Sequence, residues 1–284
     1  MYSKLENKIG VSTSTYMGFP LEDALRGISR AGFSYIEIAA IKGILEHIRP
    51  DKITHKELLS LRKKLNQYNL QILSIAAYSD LTKVENVPYL KKSIDLAKKI
   101  GAKLIITGVN NEGGDNSKPA ISRFYENIRV IGEYAEKNQM TVGLETHGGI
   151  VSTGEETVTV VKKVNSASVK VSYDTGNVIF HGGVRPENDI MYILDQVGHV
   201  HLKDKIGGKG VWNFPPLGDG SVNFVSIITT LLKNGYKGPF IIEIEFHEDA
   251  RFNKGVKRTV NFVNQAVKKS YEYIHGNLLN MKEN

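Results

Sequence analysis

The segments KLIIT (residues 103–107) and FIIEI (residues 240–244) are apolar on both alternating faces, which is typical of parallel strands covered on both sides. Six further short apolar runs predict strands at residues 9–12, 35–39, 72–77, 141–145, 169–173 and 199–202. Apolar residues at helical spacing separate these runs, so that strands and helices alternate eight times with a repeat of roughly 30–35 residues. This alternation predicts an α/β protein that forms a single (β/α)8 barrel, a TIM barrel, over residues 1–284.

Local signals at the helix ends agree with this alternation. Gly32 follows the first helical stripe, at the position where a left-handed glycine commonly ends a helix. Thr54-x-x-Glu57 is a capping-box sequence that predicts the start of the second helix. The sixth helix is expected to begin at Pro186 and to continue through the apolar positions to Leu194.

A doubly wound open sheet is the structural alternative to a barrel. Such sheets usually carry a glycine-rich phosphate loop after the first strand. Here the first strand leads into STSTYMGFP (residues 12–20), which has no such loop. The residues after about position 276 are polar and are expected to fray.

Composition narrows the class of protein. The 284-residue chain is 41% hydrophobic and 24% charged, which is typical of a globular protein rather than a disordered one. It contains no cysteine, and this excludes disulfide scaffolds, zinc fingers, iron–sulfur clusters and a cysteine nucleophile. The net charge is +7, but lysine pairs such as Lys63-Lys64 fall within predicted helices and indicate solvated helix faces.

The sequence has no apolar segment of the kind that targets or anchors a protein. The first ten residues lack the apolar core of a signal peptide, and no run approaches 18 consecutive apolar residues. We therefore expect a cytoplasmic protein that binds neither membrane nor nucleic acid.

Polar residues stand at the ends of several predicted strands, where the active sites of barrel enzymes form. In chain order they are Glu37, Glu145 with His147, Asp174 with Asn177, His199-x-His201 with Lys203, and Glu243 with Glu245. Carboxylates buried together repel one another and lose hydration unless a cation neutralises them. Oxygen ligands with one imidazole suit Mn, Mg, Co or Zn. The pattern therefore predicts one divalent cation at this end of the barrel.

Each of these residues also has a structural interpretation. A glutamate at a strand end can be a salt-bridge partner, and either histidine of the His-x-His pair can be structural. The sequence DTG that begins at Asp174 can be only a turn. Glu243 and Glu245 would form surface pairs if the last strand lay at a sheet edge. Their coincidence on four successive strands favours the metal site.

Four segments in a fixed order carry a family resemblance. They are GLETHGG (143–149), SYDTGNV (172–178), HVHLKD (199–204) and FIIEIE (240–245). Together they resemble the xylose isomerase-like TIM-barrel superfamily of sugar isomerases and epimerases, which includes D-tagatose 3-epimerase, hydroxypyruvate isomerase, inosose dehydratase and the AP endonucleases. The resemblance extends over nearly the whole chain, from IGVSTSTY (9–16) to GYKGPFIIEIE (235–245).

The resemblance implies a single divalent cation bound by Glu145, Asp174, His201 and Glu243. His201 is selected because the family's ligand is the second histidine of the pair, and Glu243 because it is the first glutamate after the apolar run. The resemblance also implies that Glu145 and Glu243 are the catalytic pair. One glutamate removes a proton from the carbon next to a carbonyl, and the other returns it.

Five further residues are candidates for substrate binding. His147 and Lys203 have the strand parity of the expected ligands, and Glu37 lies near the end of the second strand. Trp212 lies in a long loop after the seventh strand that is expected to act as a lid. Asn177 stands where many relatives have the histidine of an Asp-x-x-His motif, and an amide cannot act as a base near neutral pH.

Two of these candidates have alternatives that the sequence leaves open. Lys203 can instead pair with Asp204, and Trp212 can be a hydrophobic plug.

The favoured hypothesis is a metal-dependent isomerase or epimerase of a ketose, keto-sugar or related small polyol, acting by proton abstraction α to a metal-bound carbonyl. A lyase or dehydratase that eliminates a group from an inosose or a 3-keto-glycoside is the alternative. An AP-endonuclease-like DNA repair enzyme is a remote alternative, because its three-metal cluster needs more histidines at strand ends. A binding protein with an inactive site is opposed by the intact set of ligands. A homo-oligomer is compatible with the sequence.

Overall fold

The computed structural model describes residues 8–110, 114–246 and 258–277. The strands are β1 (Ile9–Ser12), β2 (Tyr35–Ile41), β3 (Leu45–Glu46), β4 (Gln71–Ala76), β5 (Leu104–Thr107), β6 (Thr141–Glu145), β7 (Val169–Asp174), β8 (Val197–Leu202) and β9 (Phe240–Ile242). The α-helices are α1 (Leu21–Ala31), α2 (His55–Gln67), α3 (Val87–Ile100), α4 (Lys118–Lys137), α5 (Gly154–Val164), α6 (Pro186–Asp189), α7 (Phe224–Lys233) and α8 (Val260–Asn277).

Eight of the strands form a closed parallel barrel. Each strand from β4 to β9 pairs with the next, β9 pairs with β1, β1 with β2, and β2 with β4. The remaining strand, β3, pairs only with β2, in antiparallel orientation. The predicted (β/α)8 barrel is therefore confirmed.

Burial on both faces explains why the strands read as continuous apolar runs. All four residues of β5 are buried, with one face inside the barrel and the other beneath the helices. Each helix buries one stripe, which in α1 includes Leu25 and Ile28. Gly27 of α1 allows close packing, because a Cβ there would lie 2.1 Å from both the Tyr16 hydroxyl and the Asn264 side chain of α8.

The sixth helix is shorter than the sequence predicts, and its expected continuation to Leu194 is wrong. After the single turn of α6 the chain continues as a 3-10 turn over Ile190–Tyr192. The Asp189 carboxylate is the local cause, because it accepts hydrogen bonds from the Gly154 amide at 2.7 Å and from the Tyr173 hydroxyl at 2.9 Å. These bonds hold the end of α6 against β7 and the start of α5.

The last barrel strand also ends two residues before the predicted boundary. The backbone of Glu245 pairs with that of Phe214, through hydrogen bonds of 3.1 and 3.2 Å in the two directions. The chain after β9 therefore leaves the barrel to join the loop that follows β8. This departure brings that loop over the carboxyl end of the barrel.

The polar tail expected from about residue 276 lies mostly outside the described residues. Helix α8 continues to Asn277, and residues 278–284 are not among those that the structure describes. Within the described residues, no helix combines the length and apolar character needed to span a bilayer.

The capping box at the start of α2 supplies a test of the local stability of the fold. The Thr54 hydroxyl accepts from the Glu57 amide at 3.2 Å, and the Glu57 carboxylate accepts from the Thr54 amide at 2.7 Å. We expect Thr54→Ala to lower the free energy of unfolding by about 1 kcal/mol, because the Glu57 amide loses the hydroxyl that accepts its hydrogen bond. Urea denaturation would measure this loss. The matched control is Thr54→Ser, which retains the hydroxyl and should stay close to the wild type.

Candidate metal centre

Four side chains from four neighbouring strands meet at the carboxyl end of the barrel. Glu145 ends β6, Asp174 ends β7, His201 lies in β8, and Glu243 directly follows β9. All four are buried, and one potential ligand atom from each lies within 4.8 Å of the others. The Nδ1 atom of His201 is 2.7 Å from Glu145 Oε1, 3.7 Å from Asp174 Oδ2 and 3.8 Å from Glu243 Oε2. The four residues that the sequence predicts as ligands are therefore brought together.

Asp174 provides the clearest indication that a cation fits this group. Its Oδ1 atom accepts hydrogen bonds of 2.8 Å from the amides of Gly176 and Asn177. Its Oδ2 atom is buried and accepts no hydrogen bond from any described residue. A buried carboxylate oxygen without a hydrogen bond is costly, by about 1–3 kcal/mol. Three carboxylates and one imidazole form a donor set that suits Mg²⁺ or Mn²⁺, so the residues present fit a divalent cation.

Lys203 supplies one positive charge among these carboxylates. Its Nζ atom lies 2.5 Å from Glu245, 3.1 Å from Glu243 and 3.6 Å from Asp174, and its side chain is only 2% exposed. Burial alone would lower the pKa of Lys203, but the surrounding carboxylates outweigh it and raise that pKa well above its usual value. Lys203 is therefore an ammonium ion at neutral pH.

The remaining ionisable groups of the centre are shifted in different directions. Burial raises the pKa of Asp174 to about 7, against the opposing effect of Lys203. Burial also acts to raise the pKa of Glu243, but Lys203 and His201 outweigh it and lower that pKa to about 2. Burial disfavours the charged form of His201, yet Glu37 and Glu243 raise its pKa well above the usual value. Without a cation, His201 therefore holds a proton that balances part of the carboxylate charge.

Glu37 lies across the His201 ring from the other carboxylates. Its Oε1 atom is 2.9 Å from His201 Nε2, and its Oε2 atom accepts a hydrogen bond of 2.8 Å from Ser74. Its Oε2 atom also lies 3.4 Å from His199 Nε2, and the Nδ1 atom of His199 is 2.8 Å from the Ser172 hydroxyl. All these side chains are fully buried in the barrel interior.

The predicted substrate-binding residues fall into two groups. Glu37, Asn177 and Lys203 are at most 3% exposed, and Asn177 accepts from Lys203 at 3.3 Å. Because these three side chains contact other side chains of the centre, a direct contact with substrate stays a prediction. His147 and Trp212 are half-buried. The expected pairing of Lys203 with Asp204 does not occur, since Asp204 accepts hydrogen bonds from four backbone amides.

Aromatic and imidazole rings from several loops pack against one another beside the candidate metal centre. The His147 ring lies 6.1 Å from Tyr78 and 5.2 Å from His181, measured between centroids. Trp212 forms edge-to-face pairs with Phe180 and Phe214, at 5.5 and 5.1 Å. Burial lowers the pKa of His181 to about 3, with His147 and Lys203 adding to the shift, so His181 is neutral at pH 7.

The sequence analysis missed several members of this site. Tyr78 and His181 stand in loops whose course no periodicity predicts, and Ser14, which donates to Glu243 at 2.6 Å, lies in a turn without a recognisable motif. Glu245 is among the strand-end residues that the sequence indicates, but no sequence pattern predicts its ion pair with Lys203.

Comparisons with known proteins agree with the barrel fold. A sequence model of the family described as "xylose isomerase-like TIM barrel" matches residues 25–266. An L-ribulose 3-epimerase of Methylomonas sp. is 25% identical over 240 residues, which cover 78% of this chain and 77% of that protein. An inosose dehydratase of Bacillus thuringiensis is 26% identical over 224 residues, covering 65% and 72%.

A solved structure gives the same fold. A xylose isomerase-like TIM barrel protein from Mycobacterium smegmatis, crystallised in complex with magnesium, superposes with a TM-score of 0.74. The superposition covers 98% of this chain and 100% of that one, at 19% sequence identity.

The buried ammonium of Lys203 gives a test of the electrostatics. We expect Lys203→Met to lower the free energy of unfolding by about 3–5 kcal/mol, because it removes a buried positive charge that lies among several carboxylates. Chemical denaturation in the presence of a chelator would measure this loss. Lys268→Met is the matched control, since Lys268 forms an exposed pair with Glu272 at 3.8 Å and should change stability by less than about 1 kcal/mol. An equal effect of the two substitutions would contradict this account of the centre.

Proposed function

The chain belongs to the xylose isomerase-like TIM barrel family, and from this premise we propose that it is a divalent-metal-dependent epimerase or isomerase of a ketose, keto-sugar or related small polyol. The observation that carries the proposal is the buried group of Glu145, Asp174, His201 and Glu243, with ligand atoms within 4.8 Å of one another. The similarity to an L-ribulose 3-epimerase supports the class of substrate.

We assign the four residues of this group as the ligands of one cation. The unpartnered Oδ2 atom of Asp174 and the Nδ1 atom of His201 face the same space as the two glutamates. When bound, a divalent cation supplies Lewis-acid stabilisation of the negative charge that develops on the substrate's carbonyl oxygen. Mn²⁺ is the first cation to test, followed by Mg²⁺, Co²⁺ and Zn²⁺.

Glu145 and Glu243 are the proposed acid–base pair. They follow different strands, and one oxygen of each lies near the His201 Nδ1 atom, at 2.7 and 3.8 Å. One carboxylate takes the proton from the carbon next to the carbonyl, and the other delivers a proton to the same or the neighbouring carbon. Delivery to the opposite face of the same carbon gives an epimer. Delivery to the former carbonyl carbon, with transfer of the hydroxyl proton from the neighbouring oxygen to the former carbonyl oxygen, gives an aldose–ketose isomer.

Neighbouring groups hold both glutamates in place. Ser14 donates to one oxygen of Glu243 at 2.6 Å, and Lys203 donates to the other at 3.1 Å. The Oε1 atom of Glu145 lies 2.7 Å from His201 Nδ1. These contacts fix the direction of each carboxylate before substrate binds, which is what proton transfer at carbon requires.

The rings beside the candidate metal centre offer contacts that suit a polyol. The half-buried His147 and His181 provide ring nitrogens that can donate to or accept from hydroxyl groups. Trp212, in the loop after β8, presents an aromatic ring whose apolar surface can pack on the C–H face of a sugar.

Elimination is a second candidate, supported by the similarity to an inosose dehydratase. The first step is the same proton abstraction next to a carbonyl. The carbanionic charge then expels a hydroxide or alkoxide from the β-carbon, and an acid must protonate this leaving group.

A single experiment separates the two candidates. The purified protein, loaded with Mn²⁺, would be incubated in D₂O with a panel of ketoses and keto-inositols. Uptake of deuterium at a carbon that keeps its hydroxyl supports epimerisation or isomerisation, whereas loss of water or a sugar supports elimination. Failure to bind any divalent cation, or no exchange with any member of the panel, would contradict the proposed function.

The proposed acid–base pair leads to a test by substitution. We expect Glu145→Gln and Glu243→Gln each to lower the rate of deuterium exchange about 100-fold or more, because an amide cannot carry the proton. The matched control is Glu272→Gln, at an exposed position on α8, which should exchange at the wild-type rate. Near wild-type exchange by either site variant would remove that glutamate from the pair.

The shifted pKa values lead to a test by pH. Below about pH 7, Asp174 and His201 both hold protons that a cation must displace, since the pKa of Asp174 is raised to about 7 and that of His201 well above its usual value. We therefore expect the affinity for Mn²⁺ to fall as the pH falls, by about tenfold per pH unit for each proton released. Titrations between pH 5.5 and 8 would measure this slope. A flat profile would contradict the assignment of these ligands.

A further inference from the structure

Glu37 is the one carboxylate of the centre that touches His201 from its far side. It lies within β2 and is fully buried, with Oε1 at 2.9 Å from His201 Nε2. The opposite nitrogen, Nδ1, lies 2.7 Å from Glu145 and faces the oxygens of Asp174 and Glu243. The imidazole is therefore held between Glu37 and the group of ligands.

We propose that Glu37 is a positioning residue that holds His201 in the tautomer with hydrogen on Nε2, and so presents the Nδ1 lone pair to the cation. This inference rests on the proposed function, because it concerns how one proposed ligand is made ready for the metal.

The chemistry of the ring leads to this assignment. A neutral imidazole carries hydrogen on one nitrogen and a lone pair on the other. An ionised carboxylate can only accept, so the nitrogen that faces Glu37 carries the hydrogen, and the lone pair is on Nδ1. Histidines that bind metals usually donate their other ring N–H to a carboxylate or carbonyl, and losing that partner typically weakens metal binding 10–100-fold.

Irregularities in two strand pairs bring the polar side chains beneath His201 into register. The pairing of β2 with β4 shifts by one residue between Ile36 and Glu37, and this places Ser74 opposite Glu37. The Ser74 hydroxyl donates to the second Glu37 oxygen at 2.8 Å. That bond fixes the carboxylate, whose first oxygen is then directed at His201.

The second irregularity lies between β7 and β8. The register shifts after Val171, which places His199 opposite Ser172, and these two side chains are 2.8 Å apart. Gly198 is the extra residue in β8, where a Cβ would come within 2.8 Å of the Lys170 side chain. β-Bulges commonly re-aim side chains beside active sites, and here both serve the same buried network.

A second metal ion is the competing interpretation of this network. Potential ligand atoms of Glu37, His199 and His201 also lie within 4.8 Å of one another. His201 could serve both sites only as an imidazolate, with a lone pair on each nitrogen and no proton left on the ring. A bond from Nε2–H to Glu37 needs no such deprotonation. We therefore assign one cation per chain and a hydrogen-bonding role to Glu37.

Two measurements on the full chain test the proposal. The first is the ring ¹⁵N NMR spectrum of the Zn²⁺-loaded protein, with the His201 signal assigned from His201→Gln. The expected pattern is a metal-bound Nδ1 and a protonated Nε2. Binding through Nε2, or two zinc ions per chain, would overturn the proposal.

The second measurement is Mn²⁺ affinity by electron paramagnetic resonance, in wild type, Glu37→Leu and Glu37→Gln. Leucine removes the acceptor, and we expect affinity to fall about 10–100-fold. Glutamine keeps an acceptor oxygen but loses the charge, so its affinity should lie between the other two. Thr107→Val is the control for disturbance of the barrel interior, because Thr107 is fully buried at the end of β5 and its hydroxyl is bonded to none of the described residues, and it should bind within about threefold of wild type.

The outcomes distinguish this inference from the proposed function. Wild type that binds no divalent cation contradicts the proposed function itself. Wild type that binds Mn²⁺ with both Glu37 variants equal to it contradicts only the role of Glu37. If Glu37→Leu does not fold, Glu37→Gln and the wild-type NMR spectrum still decide, because the tautomer is read directly.

Discussion

The interaction on which this site depends is the mutual repulsion of carboxylates that the barrel forces together out of water. Glu37, Glu145, Asp174, Glu243 and Glu245 all contact either His201 or Lys203. Two cationic side chains are too few to neutralise five acids in a poorly solvated space. Because positive charge is insufficient, the pKa values of two neighbouring acids shift in opposite directions. The pKa of Asp174 is raised, so that it retains its proton more readily, and the pKa of Glu243 is lowered. A divalent cation bound at the proposed site would relieve the repulsion and release the proton from Asp174.

The parallel barrel is what brings these charges together. Parallel strands end at the same side of the sheet, so residues far apart along the chain meet without any local sequence contact. Strand pairing sets the position of each side chain along the barrel axis. The two register shifts then place Ser74 opposite Glu37 and Ser172 opposite His199. The loops contribute a different kind of group, because His147, His181 and Trp212 all lie beyond strand ends. Rigid strands thus hold the ligands, and the loops hold the rings above them.

The sequence predicts the fold, and the meeting of four side chains at one end of the barrel, for identifiable physical reasons. Strands buried on both faces must be apolar throughout, which makes them visible in the sequence. Few topologies are compatible with eight such strands that alternate with helices. Glu145, Asp174 and Glu243 are recognisable as a group because they stand at the ends of apolar strands whose carboxyl ends must meet in a barrel. The sixth helix is predicted too long because the apolar residues after α6 pack in the core although their backbone is not α-helical. The hydrogen bonds of Asp189, which involve distant residues, fix the end of this helix. The surroundings of Glu37 and Lys203 depend on register and on partners from distant strands, which no local pattern records.

The arrangement also indicates where the specificity of such an enzyme resides. Epimerisation, isomerisation and elimination share the removal of a proton next to a carbonyl, a step that the proposed function assigns to the carboxylates of the centre. The reactions differ in what happens to the charge afterwards, which depends on whether an acid stands beside a carbon or beside a leaving oxygen. The groups that could make this difference are His147, His181 and Tyr78, and these come from the loops after β6, β7 and β4. Changes in loop residues can therefore redirect the reaction while the buried centre stays the same, which is how one barrel supports several chemistries.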